Sequence, residues 1–444
     1  MRIGIVPTLN ASGGGIYQYS LTMLRALHEW KNEGSEDEFI IFTYPESQCP
    51  EVISMNGQGW MLRPVLPSPS RSQQALNLLR QVVGEGPHRE AWRSLRQQLR
   101  GGGSQPDLRE ESGNLDAVRF QPGMKQWFDQ CGAEIMLYPS SQTLSFEAKV
   151  PYVMAIHDLQ HRLQPEFPEV SANGEWEKRE YLFRNGARYS TLLLADSEVG
   201  RQDILNCYEP HGVRPDQVKV LPFIPAGYLA VDLPEIERQR VRATYDLPER
   251  YLFYPAQFWP HKNHARIVQA LGLLKQEYRL QVPIVFCGSY SDEIRARTFQ
   301  ELNSLVDQLG PEPEVRFLGH VPDEDMSGLY AEARALVMPT FFGPTNIPVL
   351  EAWAFGCPVI TSDIRGIREQ VGEAAVLVDP RSVEAIADGI YRLWTDDNLC
   401  RALADRGRQR LSRYTPSDYR RQLIEILEEA KVRVRSEKAK SAKR

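Results

Sequence analysis

The residues best suited to chemistry stand at the ends of predicted strands. His157-Asp158 follows the apolar run Tyr152–Ile156. A histidine beside a carboxylate at a strand's carboxyl end serves either acid–base and substrate-positioning work in a cleft, or a capped strand end with a structural histidine. The stretch Gln257-Phe258-Trp259-Pro260-His261-Lys262-Asn263-His264 lies between a strand and a helix. There Lys262 is placed to meet a phosphate together with the helix N-terminus, although a lone loop lysine is ordinarily just solvated. Gly13-Gly14-Gly15 joins a strand to a helix, where backbone N–H groups approach an anion or the chain simply turns. Its spacing is not GxGxxG, so the dinucleotide fingerprint is absent. From Met338 to Asp363 the order is strand, turn-rich loop, helix, strand. That order points the N–H groups of Thr345, Asn346 and Ile347 into a cleft. It also sets Glu351 one turn into the helix, where it could accept hydrogen bonds from a ribose diol.

Other candidates dissolve on inspection. Asp323-Glu324-Asp325 looks like a DxD metal motif, but it follows Pro322 and precedes the apolar positions Met326, Leu329 and Ala333. Acids in a helix's first turn favour the macrodipole, so the expectation is a capped helix and no metal site. The six cysteines form no CxxC pair, which argues against a zinc cage or a disulfide framework and fits a reducing cytoplasm. The net charge of −6 argues against a dedicated nucleic-acid binder. No apolar run approaches membrane-spanning length, and the N-terminal run is too short for a signal peptide.

The elements that must position these residues alternate. With 444 residues the chain has length for two to three domains at roughly 150 residues each. Arg2–Pro7, Phe39–Thr43, Ile135–Tyr138, Tyr152–Ile156, Leu192–Ala195 and Val218–Leu221 read as strands, with helices between. Tyr251–Tyr254, Pro283–Cys287, Val315–Leu318, Ala335–Met338 and Val359–Thr361 repeat that grammar. The alternation predicts two parallel sheets covered by helices on both faces, with a ligand cleft between the carboxyl ends of their strands. The expected divisions are 1–225 with a helical insertion at about 65–123, a linker at 226–247, a second domain at 248–415, a helix at 416–430 and a basic, disordered tail at 431–444. The insertion carries stripes Leu76, Leu79, Val83 and Trp92, Leu95, Leu99, the latter beside Arg93, Arg96 and Arg100. The tail has net charge +6. With the insertion's arginines it meets an anionic membrane surface at about 1 kcal/mol per residue, or is simply solvated.

The pattern Pro-Val-Leu-Glu-Ala-x-Ala-x-Gly-x-Pro-Val-Ile-x-Ser over residues 348–362 resembles the family 4 (group 1) glycosyltransferases of GT-B fold. So do Gly366–Val371, Ala375–Pro380, Phe317–Pro322 and Ala195–Glu198. The resemblance covers nearly the whole chain and is weakest over the insertion. It implies two Rossmann-like, doubly wound domains facing a central cleft, with a C-terminal helix crossing back to the first. It implies a retaining, metal-independent hexosyltransferase without cofactor. The donor would be a nucleotide-diphosphate sugar, and the acceptor a glycan or lipid-linked hydroxyl in polysaccharide or lipopolysaccharide synthesis. By position, Lys262 would hold the diphosphate and Glu351 the nucleotide ribose. His157 would line the acceptor and sugar side, and Gly14 and Gly15 would let the backbone approach the donor. The family's first glutamate falls on Gly343 and its arginine on Gln257. Asn346 or Thr345 would then contact the donor sugar, and His261 or the N–H groups near Asn346 would offset the lost charge. Those departures keep two rivals in view: a non-catalytic nucleotide-sugar-binding partner, and another GT-B enzyme such as an epimerase or phosphorylase.

Overall fold

The computed structural model describes residues 1–10, 13–44, 49–57, 59–66, 115–310 and 314–442. The helical stripes expected within the insertion lie outside them.

Two parallel sheets organise the chain. The first holds β1 (Arg2–Ile5), β2 (Glu38–Thr43), β3 (Trp60–Pro64), β4 (Ile135–Tyr138), β5 (Tyr152–Ala155), β6 (Leu192–Ala195) and β7 (Val218–Val220), in the order β3-β2-β1-β4-β5-β6-β7. The second holds β8 (Leu252–Pro255), β9 (Ile284–Cys287), β10 (Val315–Phe317), β11 (Ala335–Met338), β12 (Val359–Ser362) and β13 (Val376–Val378), in the order β10-β9-β8-β11-β12-β13. Every pairing between these strands is parallel, as in Ile3 against Phe39 and Leu336 against Val359.

Burial follows the strand period of two. Ile3, Ile5, Phe39 and Ile41 join one core, whereas Ile40, Phe42, Met136 and Tyr138 join another on the opposite face. The first sheet is therefore covered on both sides, which is why its strands read as apolar runs rather than alternating ones. The second half packs around its own core, centred on Phe253, Phe286, Leu336 and Ile360.

Each sheet reverses its strand order once, between β1 and β4 and between β8 and β11. Loops leaving neighbouring strands in opposite directions open a crevice there. The Gly13–Gly15 turn follows β1, the Lys262 loop follows β8, and the Thr340–Asn346 loop follows β11.

Two stretches depart from the sequence expectation. Residues 226–247, expected as a linker, contain the helix Glu235–Thr244, whose Val241 is buried in the second core. Its ion pairs Arg240–Asp325 at 2.5 Å and Arg242–Glu332 attach it to the helix Asp323–Glu332. A helix that buries one valine shows almost no apolar stripe, so composition reads it as solvated. The tail expected to be disordered from 431 is helical: Pro416–Ala442 is one helix. Thr415 and Asp418 form a reciprocal cap at its start, with hydrogen bonds of 3.0 and 3.2 Å. Tyr419, Leu423, Ile426, Leu427, Ala430 and Val434 keep helical spacing and bury against the first sheet's core. Lys431 is buried and pairs with Asp37 at 2.7 Å, an acid that also holds the N-terminal amine. The apolar stripe thus runs into the basic segment and anchors it. Among the described residues no helix is long and apolar enough to cross a membrane.

Candidate active site

A cleft of about 770 Å³ lies between the two halves. His157, Lys262, Asn346, Gly14, Gly15, Gln257, His261, Thr345, Ile347 and Glu351 all line it, so the structure brings these candidates together.

The second sheet supplies a rigid loop pair. Asn263 adopts the left-handed conformation at φ 64°, which asparagine tolerates better than most residues. Its side-chain Nδ2 donates to the carbonyls of Pro339 at 2.7 Å and Pro380 at 2.8 Å. Phe341 N and Thr340 Oγ1 donate to the carbonyl of His261, at 2.8 and 3.1 Å. The Lys262 loop and the Thr340–Asn346 loop are thereby fixed to one another. Burial pushes the Lys262 ammonium down to about 8, against the charges of Asp158 and Glu169 that hold it up.

The helix Ile347–Ala354 begins at the cleft with no side-chain cap. The expectation that three successive N–H groups face the cleft needs correcting. Asn346 N donates to Gln370 Oε1 at 3.0 Å, and Gln370 Nε2 donates back to the Asn346 carbonyl at 2.8 Å. The Asn346 backbone is clamped, and what it offers is its buried side-chain Nδ2, which has no hydrogen-bond partner among the described residues. Gly343 stands at φ 135°, and a Cβ there would come within 3.0 Å of the Asn346 amide. The amide occupies the space a side chain at 343 would need.

Glu351 is buried, and its two oxygens accept from Tyr228 Oη at 2.9 Å and Tyr330 Oη at 2.6 Å. Burial raises its pKa and the two phenols oppose that rise. Each carboxylate oxygen keeps a second lone pair for a ligand hydroxyl.

The first sheet supplies histidine and acids. His157 Nε2 lies 2.9 Å from the Pro139 carbonyl. A carbonyl only accepts, so Nε2 carries the proton and Nδ1 keeps its lone pair. Burial lowers the His157 pKa, and Tyr19 packs edge-on at 4.7 Å. Glu169 reaches across to His261 Nδ1 at 2.6 Å, and burial also keeps His261 below the ordinary imidazole range. Gln164 Nε2 donates to the Phe341 carbonyl at 2.9 Å, and Gln18 Nε2 to Asp323 at 2.9 Å. Gly14, at φ 56°, lies opposite Gln257, whose Nε2 would be 3.6 Å from a Cβ there. These contacts describe a closed cleft. Asp323 and Asp325 sit in the first turn of their helix, and Asp325 is held by Arg240 and by Tyr245 Oη at 2.6 Å.

Several lining residues escape the sequence reading. Asp196, named within Ala195–Glu198 but given no role, follows β6 as His157 and Asp158 follow β5, a positional parallel that could have drawn attention to it. Thr345 donates to its Oδ2 across the cleft. Tyr228, Glu169 and Arg179 come from irregular or polar segments with no local motif.

Residues 235–410 match the family described as glycosyl transferases group 1. O-antigen chain mannosyltransferase B of Escherichia coli is 29% identical over 260 residues, covering 57% of this chain and 64% of that protein. A D-inositol 3-phosphate glycosyltransferase of Corynebacterium urealyticum is 26% identical over 242 residues, covering 53% of this chain and 56% of that one. The chain thus spans less than two thirds of the length of these curated relatives. The crystal structure of Anabaena Alr3699/HepE in complex with UDP and glucose superposes with a TM-score of 0.65 at 15% identity, covering 96% of this chain and 99% of that one. Residues 235–410 thus match the group 1 glycosyltransferase family, and the chain as a whole has the GT-B architecture.

Proposed function

We propose that this protein transfers a hexose from a nucleotide-diphosphate sugar to a hydroxyl of a glycan or glycolipid, with retention at the anomeric carbon and without a metal, in cell-surface polysaccharide or lipopolysaccharide synthesis. The observation that carries the reading is the joint placement of Lys262, the N-terminus of the helix Ile347–Ala354 and Glu351 on one cleft wall. Cleaving the glycosidic bond leaves negative charge on the diphosphate, and fixed cations and N–H groups stabilise that charge as it develops. Lys262 and the uncapped N-terminus of that helix take this role. Glu351 accepts the ribose hydroxyls. Asn346 replaces the carboxylate that Gly343 cannot carry and contacts the donor sugar. His157 lines the acceptor side with a free Nδ1. The leaving phosphate takes the acceptor proton as the new bond forms. The engagement of Asp325 by Arg240 and Tyr245 supports a site that needs no cation there.

The relatives' names point the same way: one is an O-antigen mannosyltransferase, and HepE was crystallised with UDP and glucose. The domain limits that fit are 1–225 and 226–415, with the long helix returning to the first unit. A peripheral contact with an anionic membrane surface would bring a lipid-linked acceptor to the cleft. The test is transfer from UDP-glucose and GDP-mannose to lipid-linked and soluble glycan acceptors with excess chelator, the product's anomeric configuration being read by NMR. Transfer with retention is expected. Inversion, or activity restored only by a divalent cation, would overturn the mechanism.

A further inference from the structure

Asp196 reaches across the cleft and, among the described residues, pairs with no cation. It is 4% exposed at the end of β6. Its Oδ2 accepts from the Thr345 hydroxyl of the opposite half, and Ser197 Oγ lies 3.2 Å from its Oδ1. The groups that face it are Thr345 from the second half, Ser197 on its own turn, Asp158 from the end of β5, and Tyr19 from the helix Gly15–Asn32. The one charged group among these is Asp158, a like charge. An ionised carboxylate here is therefore desolvated and uncompensated, a costly arrangement that protonation relieves. Burial, aided by Asp158, pushes this carboxyl up to about 7 even with two hydroxyls donating to it.

Thr345 adjoins Asn346 and the helix start at which the proposed function seats the diphosphate. The ligand would bring further negative charge to the hydroxyl that Asp196 already holds. The two anions cannot share Thr345 at low cost, but a neutral carboxyl and a phosphate can.

We propose that Asp196 is a positioning residue of the donor site, which takes up one proton when the nucleotide-diphosphate sugar binds and holds Thr345 across the closed cleft as a neutral carboxylic acid. This inference rests on the donor-site reading above. The sign follows from linkage. In an open, hydrated cleft the carboxyl ionises in the usual carboxylate range, and in the closed, liganded cleft it stays protonated. The bound state holds the extra proton, so affinity falls as pH rises, by up to about tenfold per unit for one proton. His157, His261 and Lys262 also titrate in the cleft, the histidines below their ordinary range and the lysine at about 8. Their contributions persist in Asp196→Asn, whose amide oxygen still accepts from Thr345. The difference between the two proteins isolates Asp196.

The experiment is calorimetric titration of the full chain with UDP-glucose and GDP-mannose, from about pH 6 to about pH 8, in buffers of differing ionisation enthalpy. These diphosphate diesters carry no titrating phosphate in that window. The wild type is expected to weaken at least about tenfold across it and to take up close to one proton per donor bound. Asp196→Asn is expected to weaken much less, to take up correspondingly fewer protons, and to bind more tightly than wild type at the alkaline end. Equal pH slopes and equal proton uptake in the two proteins would overturn the proposal. So would a uniform loss of affinity in the variant at every pH, which is the mark of a merely structural contact. Absence of binding by both donors to both proteins at every pH would bring down the donor-site reading itself, and this inference with it.

Discussion

The two walls of the cleft are built on the same strand–loop–helix grammar and carry opposite electrostatics. The wall from the second sheet presents Lys262, an uncapped helix N-terminus and a carboxylate, Glu351, already satisfied by two phenols. The wall from the first sheet presents Asp158, Glu169 and Asp196 beside His157. Closing the cleft sets these acids against the second wall: Glu169 on the His261 ring, and Asp158 and Glu169 in the field of Lys262. Those acids partly neutralise the very groups that a diphosphate would need. An entering anion then exchanges with fixed carboxylates rather than with bulk water, so the second wall binds and the first wall sets the terms of closure.

The sharpest way to break this asymmetry is Lys262→Ala. Loss of a charge-stabilising group should cut kcat by about 10²–10³ in a transfer assay, and a change of under tenfold would remove the second wall's main role. Glu351→Ala comes next. Losing a charged hydrogen-bond acceptor should raise the donor KM by about 10- to 100-fold while kcat changes less, as steady-state kinetics would read. The pH profile then separates the walls. With Lys262 at about 8, rising pH discharges it, and the rate should fall about tenfold per unit beyond that point. Tyr330→Phe removes one of the two phenols on Glu351 and should raise the donor KM by about fivefold, leaving the pH profile in place. A variant on neither wall gives the smallest functional effect. Lys431→Ala should cost about 1–3 kcal/mol in denaturant unfolding, because Asp37 keeps the N-terminal amine, while activity per folded molecule is unchanged.

The two walls also differ in how far the sequence reveals them. Lys262 lies in one contiguous strand–loop–helix segment and Asn346 and Glu351 in another, so each stands out locally, and the family resemblance implies that they share a site. The acids of the first wall come from separate elements: Asp158 after β5, Glu169 in the short helix Pro168–Ser171, and Asp196 after β6. No window of sequence contains them, and only the parallel order β4-β5-β6 brings those strand ends together. Tyr228 is illegible for the same reason, since its partner Glu351 is 123 residues away. At the level of the fold, β3, whose apolar run Trp60-Met61-Leu62 stops at Arg63 and Pro64, and β13 escape the strand reading. The helical tail escaped because Val432 and Val434 alternate with Lys431, Arg433 and Arg435, and the partners of Val434 in the stripe begin at Tyr419.

The central claim is that this cleft seats a nucleotide-diphosphate sugar on Lys262. The most direct measurement is a metal-free thermal-shift panel of UDP- and GDP-linked hexoses on wild type and Lys262→Ala. A donor present at about 100 times its Kd should stabilise the wild type by about 2.7 kcal/mol and leave the variant nearly unshifted. An equal shift in both proteins, or none with any donor, would contradict it.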